Sequence, residues 1–453
     1  MNATQKMNTV IYHAQNTWLR LIHWLTTLLE DNKREGKTSI AVLDGVRAVA
    51  VILVLTYHIN RVSGDNLWNM ADYPLASSVS TAGSSGVLLF FVLSGFLLFL
   101  PYAKSLLFDS VWPSARSFYL RRAFRIIPAY YVSLILIILL LQPQYLRWDH
   151  LQDILLFLTF FMDSTKETFR VINGPYWTLA IEWQFYMLLP LLAWGMSAIV
   201  RRVSPQRRLR TVVYCLLGIM AWGLFARYIG LYLTQNPTQT FLVPRLVVNV
   251  ALFFLYGMQG KYLEVFSIGM LVSLCYVYSQ HASTDENYTV KVRRLSPWLW
   301  RSGVLLLLFT AMWHFHFEYH ANGWPFLSFM DPVYLWLNDP FISLGYGVCV
   351  AAILFGSTEL KRPFEHRFLR WIGLTSYSIY IWHLPLIVIL RDSTRAFLPA
   401  LDLYTTYTLY WMWALLFIVP FCLLSYALVE KPWMKIGEAW HRTHLRGKHM
   451  LGS

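Results

Sequence analysis

The chain has 453 residues, of which 57% are hydrophobic and only 14% charged, whereas a soluble domain carries about 25% charged residues. Runs such as 86–100, 126–141 and 411–428 are more apolar than the core helix of a soluble protein requires, and this excludes a soluble enzyme. The formal net charge of +14 does not point to nucleic acid, because the Lys and Arg residues cluster in short segments between the apolar runs.

Residues 1–36 read as a polar, amphipathic segment and lack the apolar core of a cleavable signal peptide. Within them 14–30, with Trp18, Leu21, Ile22, Trp24 and Leu25, suits a helix lying in the membrane interface. Residues 37–434 are expected to form the membrane domain. A bilayer is crossed by about 20 apolar helical residues, which predicts ten spans near 41–60, 84–103, 126–142, 177–200, 211–233, 262–280, 302–318, 336–358, 371–390 and 405–429. Residues 150–163 and 245–259 are also apolar, but a crossing at either would move a basic loop to the other side. Both are expected as re-entrant or interfacial pieces on the outer face. Residues 435–453 form a basic tail.

Basic loops stay in the cytoplasm. With both termini inside, 28 of the 38 Lys and Arg residues fall in cytoplasmic segments and 8 in outer ones. The expected fold is therefore all-α: a polytopic membrane bundle of about ten transmembrane helices with both termini cytoplasmic. No internal repeat is visible. The four cysteines lie far apart in apolar stretches and read as packing residues, neither a disulfide framework nor a zinc site.

Several polar residues inside these spans can carry chemistry, because an ionisable group in a membrane helix costs a few kcal/mol unless it is paired or employed. Arg47 and His58 share the first span. Eleven helical residues return to the same face, about 16 Å further along the axis. Arg47 then lies toward the cytoplasm and His58 toward the outer leaflet. A purely structural account pairs Arg47 with Asp44 and gives His58 a core hydrogen bond. Glu182 lies near the outer end of its span, at a depth similar to His58; its structural alternative is an ion pair with Arg227. Arg122 and Arg125 are three apart on the cytoplasmic side and neighbours on a helix. Ser94-Gly95 permits close helix packing, and His383 precedes Pro385 in the ninth span. The run His314, His316, Glu318, His320 offers only two histidines on one helical face and no HExxH pattern, so no metal is expected.

The motifs give these residues a common setting. Leu43-Asp44-Gly45-Val46-Arg47-Ala48 followed by His58, GVLLFFVLSGF at 86–96, Arg122-Ala123-Phe124-Arg125 with Pro128, WTLAIEWQFY at 177–186, SYSIYIWH at 376–383 and Val429-Glu430-Lys431-Pro432 stand in one order along residues 40 to 434. In that order they resemble the acyltransferase-3 family of membrane acyltransferases, which modify surface sugars and some secondary metabolites. Three positions depart from the family pattern: Leu88 replaces a frequent Asp, Thr178 a Ser, and Trp183 a second Glu, which leaves Glu182 as the carboxylate there.

The resemblance implies transfer of an acyl group, by family frequency acetyl, from acyl-CoA (acetyl-CoA) to a hydroxylated acceptor, a glycan or glycoside. It implies His58 as general base or acyl carrier, with Glu182 orienting it. It further implies Arg122 and Arg125 on the coenzyme A phosphates and Arg47 on the donor's pantetheine or phosphate end. Ser94, Trp177, Tyr186, Tyr377 and His383 are candidates for acceptor binding or for structure. No permanently bound cofactor is expected, and the extra soluble esterase-like domain of some relatives is expected to be absent. A transporter or flippase is the competing reading of a ten-helix bundle with intramembrane charges; it predicts matched half-chain symmetry, which is not seen.

Overall fold

A computed structural model describes residues 40–64, 73–240, 243–282, 286–319, 323–395 and 401–450, and all regular structure among them is helical. The expected interfacial helix at 14–30 lies outside the described residues. A spanning helix satisfies its own backbone groups in a medium without water, which is why long apolar runs fold this way.

Among the described residues nine helices are long and apolar enough to cross a membrane, or ten if one bent pair counts as a span. They are α1 (Ala41–Val62), α2 (Gly86–Phe108), α3 (Ala115–Leu141), α4 (Tyr176–Val200) and α5 (Pro205–Gln235). After these come α6 (Leu263–Ala282), α7 (Glu286–Glu318) and α8 (Tyr334–Phe355). The bent pair is α9 (Arg367–Leu374) with α10 (Ser376–Thr394), and the last span is α11 (Leu403–Trp440). The apolar segments expected not to cross form short helices, Leu151–Leu158 and Arg245–Leu255.

Three boundaries differ from expectation for local reasons. The third span begins at Ala115, where Ser114 accepts a hydrogen bond from the Ser117 N–H, so Arg122 and Arg125 lie on a helix and not in a loop. The ninth span is broken: α9 and α10 meet at 70°, with the Thr375 hydroxyl donating to the Trp371 carbonyl at 3.0 Å. The last helix runs through 434 without a break, so the basic tail is a continuation of it. Along that helix two π segments, Ala414–Ile418 and Tyr426–Glu430, each end two residues before a proline, Pro420 and Pro432. A proline lacks its N–H and clashes with the carbonyl four residues back; the wider turn relieves both.

The centre of the bundle is α2, whose Phe91, Val92, Phe96 and Phe99 are buried. It crosses α6 at a pair of glycines. A Cβ on Gly95 would come within 2.2 Å of the Phe266 carbonyl oxygen, and one on Gly269 within 2.0 Å of the Val92 carbonyl oxygen. Small residues on both helices therefore set their separation. Gly269→Leu is expected to lower stability by about 3 kcal/mol, read as an earlier unfolding midpoint in detergent. The glycine of the Leu-Asp-Gly-Val-Arg motif has the same use. Gly45 lies against the Phe364 carbonyl, and Gly373 of α9 lies against the Asp44 carbonyl, which seats α9 beside the start of α1.

Candidate active site

The residues singled out in the sequence fall into two regions of the bundle. The first is a narrow pocket lined by Arg47 of α1, Ser94 of α2, Arg125 of α3, Glu182 and Tyr186 of α4, and Tyr377 and Tyr380 of α10. Glu182 Oε1 accepts from the Ser94 hydroxyl at 2.5 Å and from the Tyr186 hydroxyl. The Tyr186 ring in turn carries Arg122, whose guanidinium carbon is 5.9 Å from the ring centroid. Tyr377 donates to the Ile126 carbonyl of α3 at 2.9 Å. Asp44 pairs with Arg370 at 3.6 Å and not with Arg47. Among the described residues Arg47, Arg122 and Arg125 make no ion pair within salt-bridge distance; Glu182 lies in the pocket with Arg47 and Arg125, and Asp44 and Glu430 act on those two arginines from further off. Such a pocket attracts an anion.

The second region is centred on His58. Its Nδ1 lies 2.9 Å from the Val54 carbonyl oxygen and 3.2 Å from Nε2 of His383. Nδ1 of His383 lies 3.0 Å from the Ile379 carbonyl oxygen. A carbonyl only accepts, so each Nδ1 carries its proton toward the backbone four residues back. Two consequences follow for the neutral rings. The one His58 Nδ1–H is shared between the Val54 carbonyl and the lone pair of His383 Nε2, and His58 keeps an uncommitted lone pair on Nε2. That nitrogen can take a proton or attack a carbonyl, and the cation then formed is stabilised by His383.

Glu182 was expected to orient His58, and the structure corrects this. Glu182 hydrogen-bonds Ser94 and Tyr186 and lines the pocket of Arg47, whereas the imidazole of His58 is held by Val54 and by His383. Depth along the axis did suggest the pairing, but depth says nothing about the rotation of α4. Arg227, the proposed structural partner of Glu182, instead pairs with Glu264 at 3.1 Å and with Asp339. The shared face of Arg47 and His58 is real: both look toward α10, Arg47 onto the pocket of Tyr377 and Tyr380, His58 onto His383. Of the remaining candidates, Trp177 lies away from this pair, under Arg170 at 5.3 Å.

A second cavity of about 460 Å³, termed outer because the basic-loop bias assigns its side of the bundle to the outer face, is lined by Tyr57, Arg170, Trp177, Glu318, Asn338 and Asp339 among others. Neither histidine lines either space, and the pair reaches each through a neighbouring aromatic ring. Tyr57, which lines the outer cavity, has its ring edge-on to His58 at 5.1 Å, and Tyr380, which lines the inner pocket, has its ring 5.9 Å from that of His383. Val87 lines both. Near the cavity, Lys261 in the loop before α6 bonds to Asp163, and Gln184 donates to the same carboxylate at 2.8 Å. Burial pushes the Lys261 ammonium below its ordinary pKa, and the Asp163 carboxylate opposes that shift.

Sequence reading missed the cluster of Arg227, Glu264 and Asp339, although each is an ionisable residue within or at the end of an apolar run. Three spans meet there, and the Tyr262 hydroxyl also donates to Asp339 at 3.2 Å. Arg227→Met is expected to destabilise the protein by about 3 kcal/mol, because two carboxylates then lose their buried cation. An added Glu264→Gln change recovers part of that loss, and thermal unfolding in detergent checks both. Glu430, quoted above only as part of a motif, accepts from the Ser378 hydroxyl across α10 and α11. Among the described residues no three His, Cys, Asp or Glu side chains are grouped to hold a metal. His314 bonds to the Tyr334 hydroxyl, and His316 lies 3.0 Å from the Ser328 hydroxyl.

Comparison with known proteins agrees with this architecture. A family profile described as an acyltransferase domain matches residues 40–430. The peptidoglycan O-acetyltransferase OatA of Listeria monocytogenes is 24% identical over 380 residues, 79% of this chain and 50% of the relative. A putative peptidoglycan O-acetyltransferase of Bacillus subtilis is 26% identical over 423 residues, 86% of this chain and 54% of the relative. A putative O-acetyltransferase of Staphylococcus aureus is 25% identical over 447 residues, 90% and 60% of the two chains. The chain thus spans 50% to 60% of the length of these relatives. No solved structure matches it.

Proposed function

The chain belongs to the acyltransferase-3 family of multi-pass membrane acyltransferases, and from that premise we propose that it moves an acetyl group from a coenzyme A thioester to a hydroxyl of a glycan. What supports this reading is the His58–His383 pair, which touches Tyr380 of the arginine-lined pocket on one side and Tyr57 of the polar cavity on the other.

The donor enters from the side of Arg122 and Arg125, which the basic-loop bias assigns to the cytoplasm. Arg47, Arg122 and Arg125 hold its phosphates, and its thioester end reaches past Tyr380 toward His58. The acceptor sits in the outer cavity. His58 Nε2 takes the proton of the acceptor hydroxyl as that oxygen attacks the thioester carbonyl carbon. The new C–O bond forms, the C–S bond breaks, and the coenzyme A thiolate leaves with the proton returned by His58. The products are an ester and a free thiol. His383 Nε2 accepts from His58 Nδ1–H throughout and stabilises the imidazolium, the role a carboxylate fills in a Ser-His-Asp triad. Glu182, fixed by Ser94 and Tyr186, balances charge among the arginines. The names of the relatives point to peptidoglycan as the glycan, and we extend that acceptor class to this chain.

The test is reconstitution in proteoliposomes with acetyl-labelled acetyl-CoA and peptidoglycan-derived oligosaccharides. Label in an ester on the saccharide, with one thiol released per ester, is the expected result. Thiol release that matches water hydrolysis with no labelled saccharide would overturn the proposal.

A further inference from the structure

A second cavity lies beside the outer one. Between α4 and α5 a groove of about 860 Å³ runs along the membrane-facing side, walled mainly by apolar side chains. Its α4 wall extends from Ile181 to Ile199, about 27 Å at about 1.5 Å per residue. That is close to the full hydrocarbon thickness of about 30 Å and well beyond the depth of one leaflet. The space is real on both sides: a Cβ added to Gly195 or to Gly218 would meet no atom within 4 Å.

At its outer end the groove is lined by Arg227 and Tyr262, and these two residues also line the polar cavity. The two spaces differ in chemistry. The groove offers hydrocarbon contact. The cavity offers the ring faces of Tyr57 and Trp177 together with side chains of both charge signs, Arg170, Glu318 and Asp339. That mixture suits a neutral polyhydroxylated ring more than a bare anion, since no single charge prevails. A bulk phospholipid would place its head group at the membrane surface and leave the cavity unfilled.

We propose that the groove and cavity together form one site for an amphiphilic acceptor: a saccharide on a lipid chain of polyisoprenyl length, entering sideways from the bilayer between α4 and α5. The proposal rests on the acceptor side of the function given above. The chain fills the groove and anchors the sugar in the cavity, where one hydroxyl faces the His58 region. Lateral delivery also concentrates the acceptor in two dimensions.

The test separates docking from catalysis. The full-length protein in nanodiscs is irradiated with a polyisoprenyl N-acetylglucosaminide bearing a mid-chain diazirine, and the labelled peptides are mapped by mass spectrometry. Adducts are expected on the stretches 191–199 and 215–226, and Gly195→Trp with Gly218→Trp should abolish them; the open space at both glycines lets the indoles enter without displacing the fold. Adducts that persist in the double variant, or that fall elsewhere in the wild type, overturn the proposal. Equal labelling of the groove by a phospholipid with the same diazirine also overturns it, since the site then takes bulk lipid. In transfer assays the double variant should keep wild-type turnover of the free saccharide and lose the lower KM of the lipid-linked form. If neither acceptor is acetylated the transferase reading fails, while the adduct map still decides the docking claim.

Discussion

Replacing His58 with alanine is expected to lower acetyl transfer by about 10³-fold while the protein still inserts and folds, because the variant loses the imidazole proposed to take the acceptor's proton. Half-buried at the wall of α1, the side chain can be removed at modest cost in packing. Its loss leaves the buried Nε2 of His383 without a donor, a penalty of about 1–3 kcal/mol that thermal unfolding will register. The informative companion is at position 383. His383→Ala removes the acceptor for His58 Nδ1–H and should cut turnover by about 10²-fold with little change in KM for donor or acceptor. His383→Gln, which can return an acceptor oxygen, should recover part of that loss. A merely structural role for His383 would show equal stability and activity losses in both variants. Wild-type turnover in His58→Ala, measured with labelled acetyl-CoA, would remove the catalytic account altogether.

The second large effect is expected in donor binding. Arg47→Ala and Arg125→Ala should each raise the KM for acetyl-CoA by about 10- to 100-fold, the equivalent of a charge-assisted hydrogen bond worth about 1.5–3 kcal/mol. Acceptor KM should stay near the wild-type value, because both arginines line the inner pocket and not the outer cavity. Lysine at either position should restore charge but little affinity, since it cannot present the planar fork that matches phosphate. Steady-state kinetics with donor and acceptor varied separately decides the matter. An unchanged donor KM in both alanine variants would place the coenzyme elsewhere or exclude it as donor.

Much of the architecture could be read from the chain. A span is recognised by a local property, the apolarity of one helix length, and so α4 begins at Tyr176 where 177 was expected and the helices at 151–158 and 245–255, of 8 and 11 residues, are shorter than a crossing needs. The face shared by Arg47 and His58 was legible for the same reason, because helical periodicity relates residues on one element. Arg122 and Arg125 were legible as helical neighbours even though the start of α3 was placed too late.

The contacts between elements were not legible. Depth suggested that Glu182 meets His58, yet the rotation of α4 turns it toward Ser94 and the arginines. Which residue holds His58 depended on a contact across 325 positions, and which carboxylates hold Arg227 depended on α5, α6 and α8 arriving together.

What the amino-acid sequence alone determined is the membrane domain, its spans and the family it belongs to, because hydrophobic length, charge placement and ordered motifs are properties of the chain in isolation. What only the tertiary structure decided is the pairing of His58 with His383, the grouping of Glu182 with Arg47, and the placing of groove and cavity on either side of Arg227 and Tyr262. Those depend on how far each helix is rotated and tilted against its neighbours. That geometry is set by close glycine crossings such as Gly95 on Gly269, which act between elements and leave no periodic trace along any one of them.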